Sequence, residues 1–465
     1  MTRFLILAFA VICFASSAFG QTFNDRTLAD VIAKDRAERG PDGRLQRLSE
    51  EDHLFRADVY MSNRQFANAR EHWELLMSEY PDSLSIPKAL FGMGRSNMWE
   101  RNYETAVTWF DKLARDFPGT LDGQEGLAFK ASCYVRLGDQ QNAIKSYEQY
   151  TVMYPTGKRI ESSYLNILDA YREAGEYEKA NEWTEKTMRR FDGLPSATNA
   201  LHAKLRMDVY RADWNSVIQD ANQLISLNKF RDSMAFEYEV RYLKAYAMEA
   251  NGNKTGAVYE YNQIPVDPAS YYSGLAIDRL DALGVDTKAQ HSLLRSKSAA
   301  LAAGFPLKYR TELIRYSKSR GIDPRFVLAI MKQESSFRAT AKSPAAARGL
   351  LQLTYDTALK YNKKAGFAVI SAEDLYKPNV NIAIGSVYIS ELQNEFGGLY
   401  EAIAASYNGG EDNVARWMAR TKPKDPAIFT TEVGFSESKR YVYKVMGNFR
   451  VYRELYDENL IRIRK

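Results

Sequence analysis

The stretch ASCYVRLGDQQNAIKSYEQYTVMYP, residues 131–155, decides the fold of the N-terminal part of the chain. It predicts a helix, a tight turn at Leu137-Gly138-Asp139 and a second helix that ends near Tyr154. Gly138 can adopt the left-handed conformation that ends the first helix, and Pro155 cannot continue the second. A hairpin of this kind cannot bury its apolar face alone, so neighbouring hairpins must stack on it.

The same pattern recurs every 37 residues. An aromatic residue closes the second helix at Tyr80, Phe117, Tyr154 and Phe191. A small residue near the start of each second helix keeps the same phase, at Ala69, Ala106, Ala143 and Ala180, with Val217 in phase and Ala257 after a slip of three. A fixed period of this length is typical of a stacked helical array.

The pattern resembles tetratricopeptide-type repeats in a long variant, although Arg64 and Arg101 replace the turn glycine of the first two units. About six units cover residues 51–290. The resemblance implies a superhelix with a concave surface that suits a protein or a polymer. A scaffold that only positions the following domain is the alternative. The segment 289–305 predicts one more helix, and Gly304 and Pro306 mark its end.

Residues 1–20 have the pattern of a secretory signal peptide. Arg3 precedes an uncharged, largely apolar run, and Ala18 and Gly20 are the small residues that a signal peptidase reads. An uncleaved anchor is the alternative, but the apolar run is short for a membrane span. Because Ile12 is too bulky for lipoprotein cleavage at Cys13, we predict no lipid anchor. Cleavage would leave Cys133 as a single buried helical thiol.

Charge is distributed unevenly along the 465 residues. Residues 305–465 contain 26 Lys and Arg against 17 Asp and Glu, a net charge of +9, whereas the whole chain carries +5. This favours an anionic polymer as the partner of the C-terminal part; an unevenly charged, solvated surface is the alternative. Nucleic acid would suit the charge, but the signal peptide argues against it. A polyanionic cell-wall polymer suits both observations.

A second helical module begins where the repeat ends. Asp323 and Pro324 predict the N-cap and first residue of a helix over residues 324–337. Its apolar face contains Ile330 and Met331, and Glu334 shares that face. Burial there raises the pKa of a carboxyl group, and a glycosidase needs a carboxylic acid that stays protonated near neutral pH. A structural glutamate that caps or pairs at the helix end is the alternative.

Glu334 belongs to the first of four short motifs in this part of the chain. They are Glu334-Ser335, SPAAARGLLQL at residues 343–353, AASYNGG at 404–410 and EVGFSESKRYV at 432–442. Their order and spacing resemble the catalytic domain of soluble lytic transglycosylases, a lysozyme-like, mainly helical fold, over about residues 308–456. A helical-repeat superhelix before this domain is also similar to the large members of that family. The fold class that follows is all-α.

The resemblance implies a role for each matching residue. Glu334 corresponds to the catalytic acid/base, Ser343 and Gln352 to cleft residues, Tyr407 and Asn408 to an aromatic-amide pair that faces the sugar, Glu432 to a second cleft carboxylate that assists substrate binding, and Tyr441 to a tyrosine near the glutamate. Structural roles stay open beside these: a turn for Ser343, a core aromatic for Tyr407, a left-handed cap for Asn408 and a solvated surface acid for Glu432.

The sequence departs from the family pattern beside the expected cleft. Ala346 stands where the family usually has Gly, Leu351 replaces a common Met, and Thr354-Tyr355 replaces Met-Pro. Gly409-Gly410 replaces Ala-Gly. We expect these departures to affect the preferred substrate more than the activity.

The resemblance implies cleavage of the β-1,4 bond between N-acetylmuramic acid and N-acetylglucosamine in peptidoglycan, with 1,6-anhydromuramoyl ends as products and Glu334 as the single acid/base. It implies neither a cofactor nor a metal, and no His pair in the sequence has metal-ligand spacing. Two alternatives remain: a hydrolytic muramidase on the same fold, related to goose-type lysozyme, and a non-catalytic wall-binding scaffold.

The expected organisation follows from these patterns. Residues 1–20 are a signal peptide, 21–50 an N-terminal extension, 51–304 helical repeats and 305–465 the catalytic domain. The signal peptide predicts a periplasmic protein whose partners are glycan strands and, on the repeats, a protein.

Overall fold

The structure, a computed structural model, describes residues 23–463 and is helical, with isolated β-bridges but no β-strand in that range. The predicted signal peptide lies outside the described residues. The N-terminal extension forms one helix, and the repeats form paired helices. Their bounds are α1 (Asp25–Ala37), α2 (Glu50–Ser62), α3 (Phe66–Glu79), α4 (Ile86–Trp99), α5 (Tyr103–Asp116), α6 (Leu121–Arg136), α7 (Gln140–Met153), α8 (Ile160–Glu173), α9 (Tyr177–Arg190), α10 (Pro195–Arg211), α11 (Trp214–Leu227), α12 (Glu237–Ala250), α13 (Lys254–Asn262), α14 (Tyr271–Ala282) and α15 (Lys288–Ala300).

The residues that set the 37-residue period have the structural positions that the sequence predicts. The small residues that open each second helix, from Ala69 to Ala257, are fully buried, so the two helices of a pair approach closely. The periodic aromatic residues follow the last residue of α3, α5, α7 and α9. Gly138 and Gly175 have φ values of 73° and 75° in the turns between paired helices. The predicted hairpins are therefore confirmed.

Arg64 and Arg101, which replace the turn glycine, still adopt the glycine conformation, with φ values of 62° and 66°. A left-handed conformation costs a residue with a side chain about 1–2 kcal/mol. Each arginine makes an ion pair with the C-terminal domain: Arg64 with Asp356 at 2.8 Å, and Arg101 with Glu411 at 2.5 Å. The two departures from the repeat pattern are thus docking residues.

The C-terminal domain is a separate cluster of helices, in which the long last helix packs against two shorter ones. Its helices are α16 (Arg310–Tyr316), α17 (Pro324–Ser335), α18 (Tyr355–Tyr361), α19 (Pro378–Glu395), α20 (Tyr400–Gly409), α21 (Glu411–Ala419), α22 (Pro426–Glu432) and α23 (Ser436–Leu455). Phe326, Ile384, Trp417 and Phe449 are fully or almost fully buried in its core. The predicted all-α fold class is confirmed.

Contacts along the whole helical array hold this domain. Asp25 of α1, the turns of the first two pairs, Arg172 of α8, Arg206 of α10 and Glu239 of α12 each contact a charged residue of the C-terminal domain. The N-terminal extension therefore lies against the C-terminal domain, although the two are far apart in sequence. Within residues 23–463 no helix has the length and apolarity to cross a membrane.

Candidate active site

Helix α17 presents Glu334 in its last turn. Asp323 caps the helix by accepting a hydrogen bond from the Arg325 amide at 2.9 Å, as the sequence predicts. Val327, Ile330 and Met331 are fully buried. The helix ends at Ser335, two residues before the predicted end, because Ser336 and Phe337 both have positive φ. Glu334 thus lies where the apolar stripe meets a loop, and its side chain is half-buried.

The carboxyl group of Glu334 has an environment that favours its neutral form. Burial raises its pKa to about 7. The Tyr441 hydroxyl donates a hydrogen bond to Oε1 at 2.6 Å and partly opposes that rise, whereas the charge of Glu437 adds to it. Among the described residues no Lys or Arg pairs with Glu334. A carboxyl with one phenolic donor and no cation is poised to give up a proton near neutral pH.

Tyr407 lies beside the same carboxyl. Burial, then the nearby Glu334 charge, raises the pKa of both Tyr407 and Tyr441 well above the usual value. The Tyr407 hydroxyl donates to the Leu351 carbonyl at 2.7 Å. Its ring lies 5.4 Å from that of Tyr388. Tyr407 therefore connects Glu334 with the loop that follows α17.

Asn408 is fixed by the N-terminal turn of α23. Its Oδ1 accepts a hydrogen bond from the Ser438 hydroxyl at 2.6 Å. Helix α20 continues through Gly409, and Gly410 has a φ of 83°, so the left-handed residue is Gly410 rather than Asn408. The amide orientation leaves Nδ2 as the group that can donate to a ligand.

The loop over residues 341–353 contains Ser343 and Gln352. The Ser343 amide donates to the Ala347 carbonyl at 2.9 Å and its hydroxyl accepts from the Ala347 amide at 3.1 Å, so Ser343 is a turn residue whatever else it does. Gln352, with a φ of 47°, donates from Nε2 to the carbonyls of Ala341 and Gly349 at 3.1 and 2.8 Å. These bonds tie the two ends of the loop together.

Two further residues explain the shape of this loop. A Cβ on Gly349 would meet the Leu375 carbonyl at 2.1 Å and Asn381 Nδ2 at 2.3 Å, so only glycine fits there. Buried Asn381 bonds the Leu351 amide at 2.8 Å and the Arg348 carbonyl at 2.9 Å. Ala346 has a φ of 58°, a conformation that favours glycine.

Glu432 lies apart from this cluster. Its side chain is 1% exposed, and Arg172 Nη1 and Arg206 Nη1 donate to Oε2 at 3.0 and 3.2 Å, with Arg420 Nε 3.5 Å away. Burial would raise its pKa, but the charges of these three arginines hold it below the usual value. A carboxylate enclosed in this way neither lines a cleft nor lies on a solvated surface. The expected cleft position of Glu432 is therefore corrected to a buried site between the domains.

Sequence reasoning missed Glu437, Tyr388 and Asn381 as parts of the site. Glu437 lies one helical turn before Tyr441 on α23, so the i, i+4 spacing could have found it. Asn381 is a polar residue inside the apolar run VNIAIGSV, residues 380–387, and a buried amide of that kind needs partners. Tyr388 carries no such signal. Between residues 23 and 463 no group of three or more His, Cys, Asp or Glu could hold a metal ion.

Two family models match segments of the chain. Residues 312–429 match the transglycosylase SLT domain, and residues 125–156 match a tetratricopeptide repeat. Both resemblances that the sequence motifs indicate are thereby confirmed for these segments.

Curated relatives match about a third of the chain. Soluble lytic murein transglycosylases of Salmonella typhimurium and Escherichia coli are 31% and 32% identical over 151 residues, 32% of this chain. Membrane-bound lytic murein transglycosylase C of Edwardsiella ictaluri is 32% identical over 169 residues. The matched segment spans 23% of the length of the first two relatives and 47% of the third.

Two solved structures share the fold over most of the chain. The 70 kDa soluble lytic transglycosylase of Escherichia coli superposes with a TM-score of 0.50 over 94% of this chain and 85% of its own, at 17% identity. An inactive mutant of the lytic transglycosylase Slt from Pseudomonas aeruginosa gives a TM-score of 0.50 over 91% and 84%, also at 17% identity. The array and the C-terminal domain thus occur together in other proteins.

Proposed function

We propose that this protein is a peptidoglycan lytic transglycosylase with Glu334 as its acid/base. One observation carries the proposal: Glu334 is a half-buried carboxyl with a pKa of about 7, hydrogen-bonded by Tyr441 and paired with no cation in the described residues. Glu334 lies in the segment that matches the transglycosylase SLT domain, and the curated relatives are lytic murein transglycosylases, which favours glycan of peptidoglycan as the substrate.

The first step uses the neutral form of Glu334. Because Tyr441 donates to Oε1, the acidic proton belongs on Oε2. Glu334 donates this proton to the oxygen between N-acetylmuramic acid and N-acetylglucosamine, and the glycosidic C1–O bond breaks. The acetamido oxygen of the muramic acid bonds to C1 and takes up the positive charge, a substrate-assisted route that needs no second carboxylate.

The second step reverses the role of the same group. The Glu334 carboxylate removes the proton of the C6 hydroxyl, O6 bonds to C1, and the acetamido oxygen leaves. The product is a 1,6-anhydromuramoyl end, and no water is consumed. Tyr441 stabilises the carboxylate between the two steps, since its hydroxyl donates to the ionised oxygen. Glu334 ends the cycle protonated, as it began.

The remaining cleft residues bind and orient the glycan in this proposal. Tyr407 provides an aromatic face, Asn408 a donor in its Nδ2, and the loop with Ser343 and Gln352 forms a wall. Glu432 has no such role, because arginines enclose it. We also propose that the protein acts in the periplasm after removal of residues 1–20, and that the repeat surface holds glycan or a partner protein.

Product analysis tests the reaction type. Sacculi digested with the purified protein are analysed by mass spectrometry of the released muropeptides. We expect 1,6-anhydromuramoyl ends, which are one water lighter than reducing ends. Reducing ends would instead support the muramidase alternative, and intact sacculi would support a wall-binding scaffold.

A further inference from the structure

We propose that Asp25, in the helix that precedes the repeats, is a positioning residue for the substrate cleft, because it anchors the loop that contains Ser343 and Gln352. This inference rests on the proposed function for its effect on substrate. Its structural part stands separately, since Asp25 lies outside the segment 312–429 that matches the transglycosylase domain. Without helix α1, that segment would lose the contacts that Asp25 makes with it.

The Asp25 carboxylate meets three side chains of the C-terminal domain. Oδ1 accepts from Lys342 Nζ at 3.0 Å and from Arg348 Nη2 at 2.5 Å, and Oδ2 accepts from the Tyr376 hydroxyl at 2.8 Å. Burial would raise the pKa of Asp25, but the three hydrogen bonds outweigh it and lower the pKa to about 2. Asp25 is therefore ionised at any pH at which the enzyme works.

Lys342 and Arg348 are the two residues that flank the turn around Ser343. They pair with each other as an antiparallel bridge, and Arg348 pairs in the same way with Leu353. Asp25 thus accepts a hydrogen bond from one residue on each side of the turn. Lys342 also donates to the Phe23 carbonyl at 3.1 Å and to Asn63 Oδ1 at 3.0 Å, so together with Asp25 it has three acceptors in the N-terminal part.

Arg348 connects Asp25 with the left-handed residue of the loop. Its guanidinium is buried, and Nη1 donates to the Ala346 carbonyl at 2.7 Å. Ala346 has a φ of 58°, where alanine is disfavoured and needs support from its surroundings. The loop therefore depends on Arg348 for its shape, and Arg348 depends on Asp25 for its charge partner.

The other end of α1 is fixed to the first repeat. Buried Asp35 accepts from Arg56 Nη1 at 2.6 Å and lies 3.1 Å from His72 Nε2, and Val31 packs in the apolar core of the first hairpins. Helix α1 thus contacts the first repeat near its C-terminal end and the loop over residues 341–353 at its N-terminal end. Loss of the Asp25 charge should release this loop without unfolding helix α1.

The experiment compares Asp25→Asn with wild type on soluble GlcNAc–MurNAc oligosaccharides, with Asp25→Glu as the conservative variant. We expect KM to rise roughly tenfold and kcat to change less than about threefold, because loop position affects binding while Glu334 is untouched. Asp25→Glu should recover most of the affinity. Asp278→Asn is the matched control: it removes another ion pair between the array and the C-terminal domain, with Arg450 at 2.9 Å, far along α23 from Tyr441.

Hydrogen exchange gives a second measurement that does not depend on activity. The amides of Ser343, Gly349 and Leu353 are hydrogen-bonded within the loop. Asp25→Asn should speed their exchange, and Asp278→Asn should not. Unchanged exchange, an unchanged KM, or an equal KM rise in both variants would overturn the inference. If wild type cleaves no glycan, the proposed function fails, and the exchange of these amides still decides whether Asp25 holds the loop.

Discussion

Two glutamates of the C-terminal domain, half-buried Glu334 and fully buried Glu432, differ in what faces their carboxyl groups. Glu334 meets a tyrosine hydroxyl and the charge of another glutamate, and its pKa rises to about 7. Glu432 meets Arg172, Arg206 and Arg420, and its pKa falls below the usual value. Burial is common to both, so the neighbouring charges decide which of the two can act as an acid.

The difference has a structural cause. The arginines around Glu432 come largely from the repeats, since Arg172 lies on α8 and Arg206 on α10. The repeats therefore keep Glu432 ionised, whereas within residues 23–463 they place no cation against Glu334. The array thus holds the C-terminal domain at Glu432, whereas Glu334 is the acid/base of the proposed function.

The largest expected effect is that of Glu334→Gln. It removes the acid and the base at once, so cleavage of sacculi should fall by about a thousandfold or more. Because burial raises the pKa of Glu334, the unfolded chain releases this proton at lower pH than the folded one, and folding stability is lost as pH rises from about 4.5 to about 7. The Gln variant should therefore be more stable than wild type above neutral pH. A thermal melt at two pH values measures this, and residual cleavage near wild type would contradict the assignment.

Replacement of Glu432 by Gln should have the opposite consequence: the protein loses stability but retains cleavage. Glu432→Gln leaves buried arginines without their anion, and loss of one partner of a buried pair costs about 3 kcal/mol or more. Molecules that remain folded should cleave within about threefold of wild type, because Glu432 does not touch the reacting atoms. Denaturant unfolding and cleavage per folded molecule separate the two effects. A stable variant that no longer cleaves would return Glu432 to substrate binding.

Removal of the Tyr441 hydroxyl, which donates to Glu334, sharpens the comparison between the two glutamates. Tyr441→Phe should lower kcat by roughly ten- to a hundredfold, since the carboxylate formed after the first step loses its stabilising bond. The hydrogen bond lowers the pKa of Glu334, so its loss raises that pKa further and moves the alkaline limb of kcat/KM to higher pH. A pH profile of the variant measures both changes. An unshifted limb would mean that another group controls it.

The smallest expected effect is that of Glu437→Gln. The charge of Glu437 raises the pKa of Glu334, so the variant should show an alkaline limb at lower pH and a few-fold loss of kcat/KM above neutral pH. At acidic pH, where Glu334 is protonated in either protein, the two should agree. A loss of the same size at every pH would indicate a direct substrate contact instead of an electrostatic one.

The sequence predicts the parts of this molecule that depend on local spacing. The 37-residue period places the hairpins, because small and aromatic residues recur at fixed positions of each one. Glu334 stands out because an acid on an apolar helix face is unexpected, and the motif order connects Tyr407 and Tyr441 with it. Both tyrosines do lie beside Glu334 in the structure.

Contacts between distant segments are not predictable in this way. Glu432 looks like a cleft or surface acid until its partners on α8 and α10 are known, and nothing in its own motif identifies Arg172 or Arg206. The same is true of Asp25, whose partners are more than three hundred residues further along the chain. Arg64 and Arg101 are a partial exception. An arginine at the position of a turn glycine indicates that some contact stabilises the left-handed conformation there.

Direct titration of the Glu334 carboxyl tests the central claim, that burial, unopposed by any cation among residues 23–463, raises its pKa to about 7. Protein with ¹³C-labelled glutamate side chains is titrated by NMR from about pH 3 to about pH 9, and the resonance missing from the Glu334→Gln variant identifies the group. The account predicts a midpoint at about 7 for Glu334 and an ionised Glu432 throughout. A Glu334 midpoint near the ordinary glutamate value, about 4.3, would contradict it.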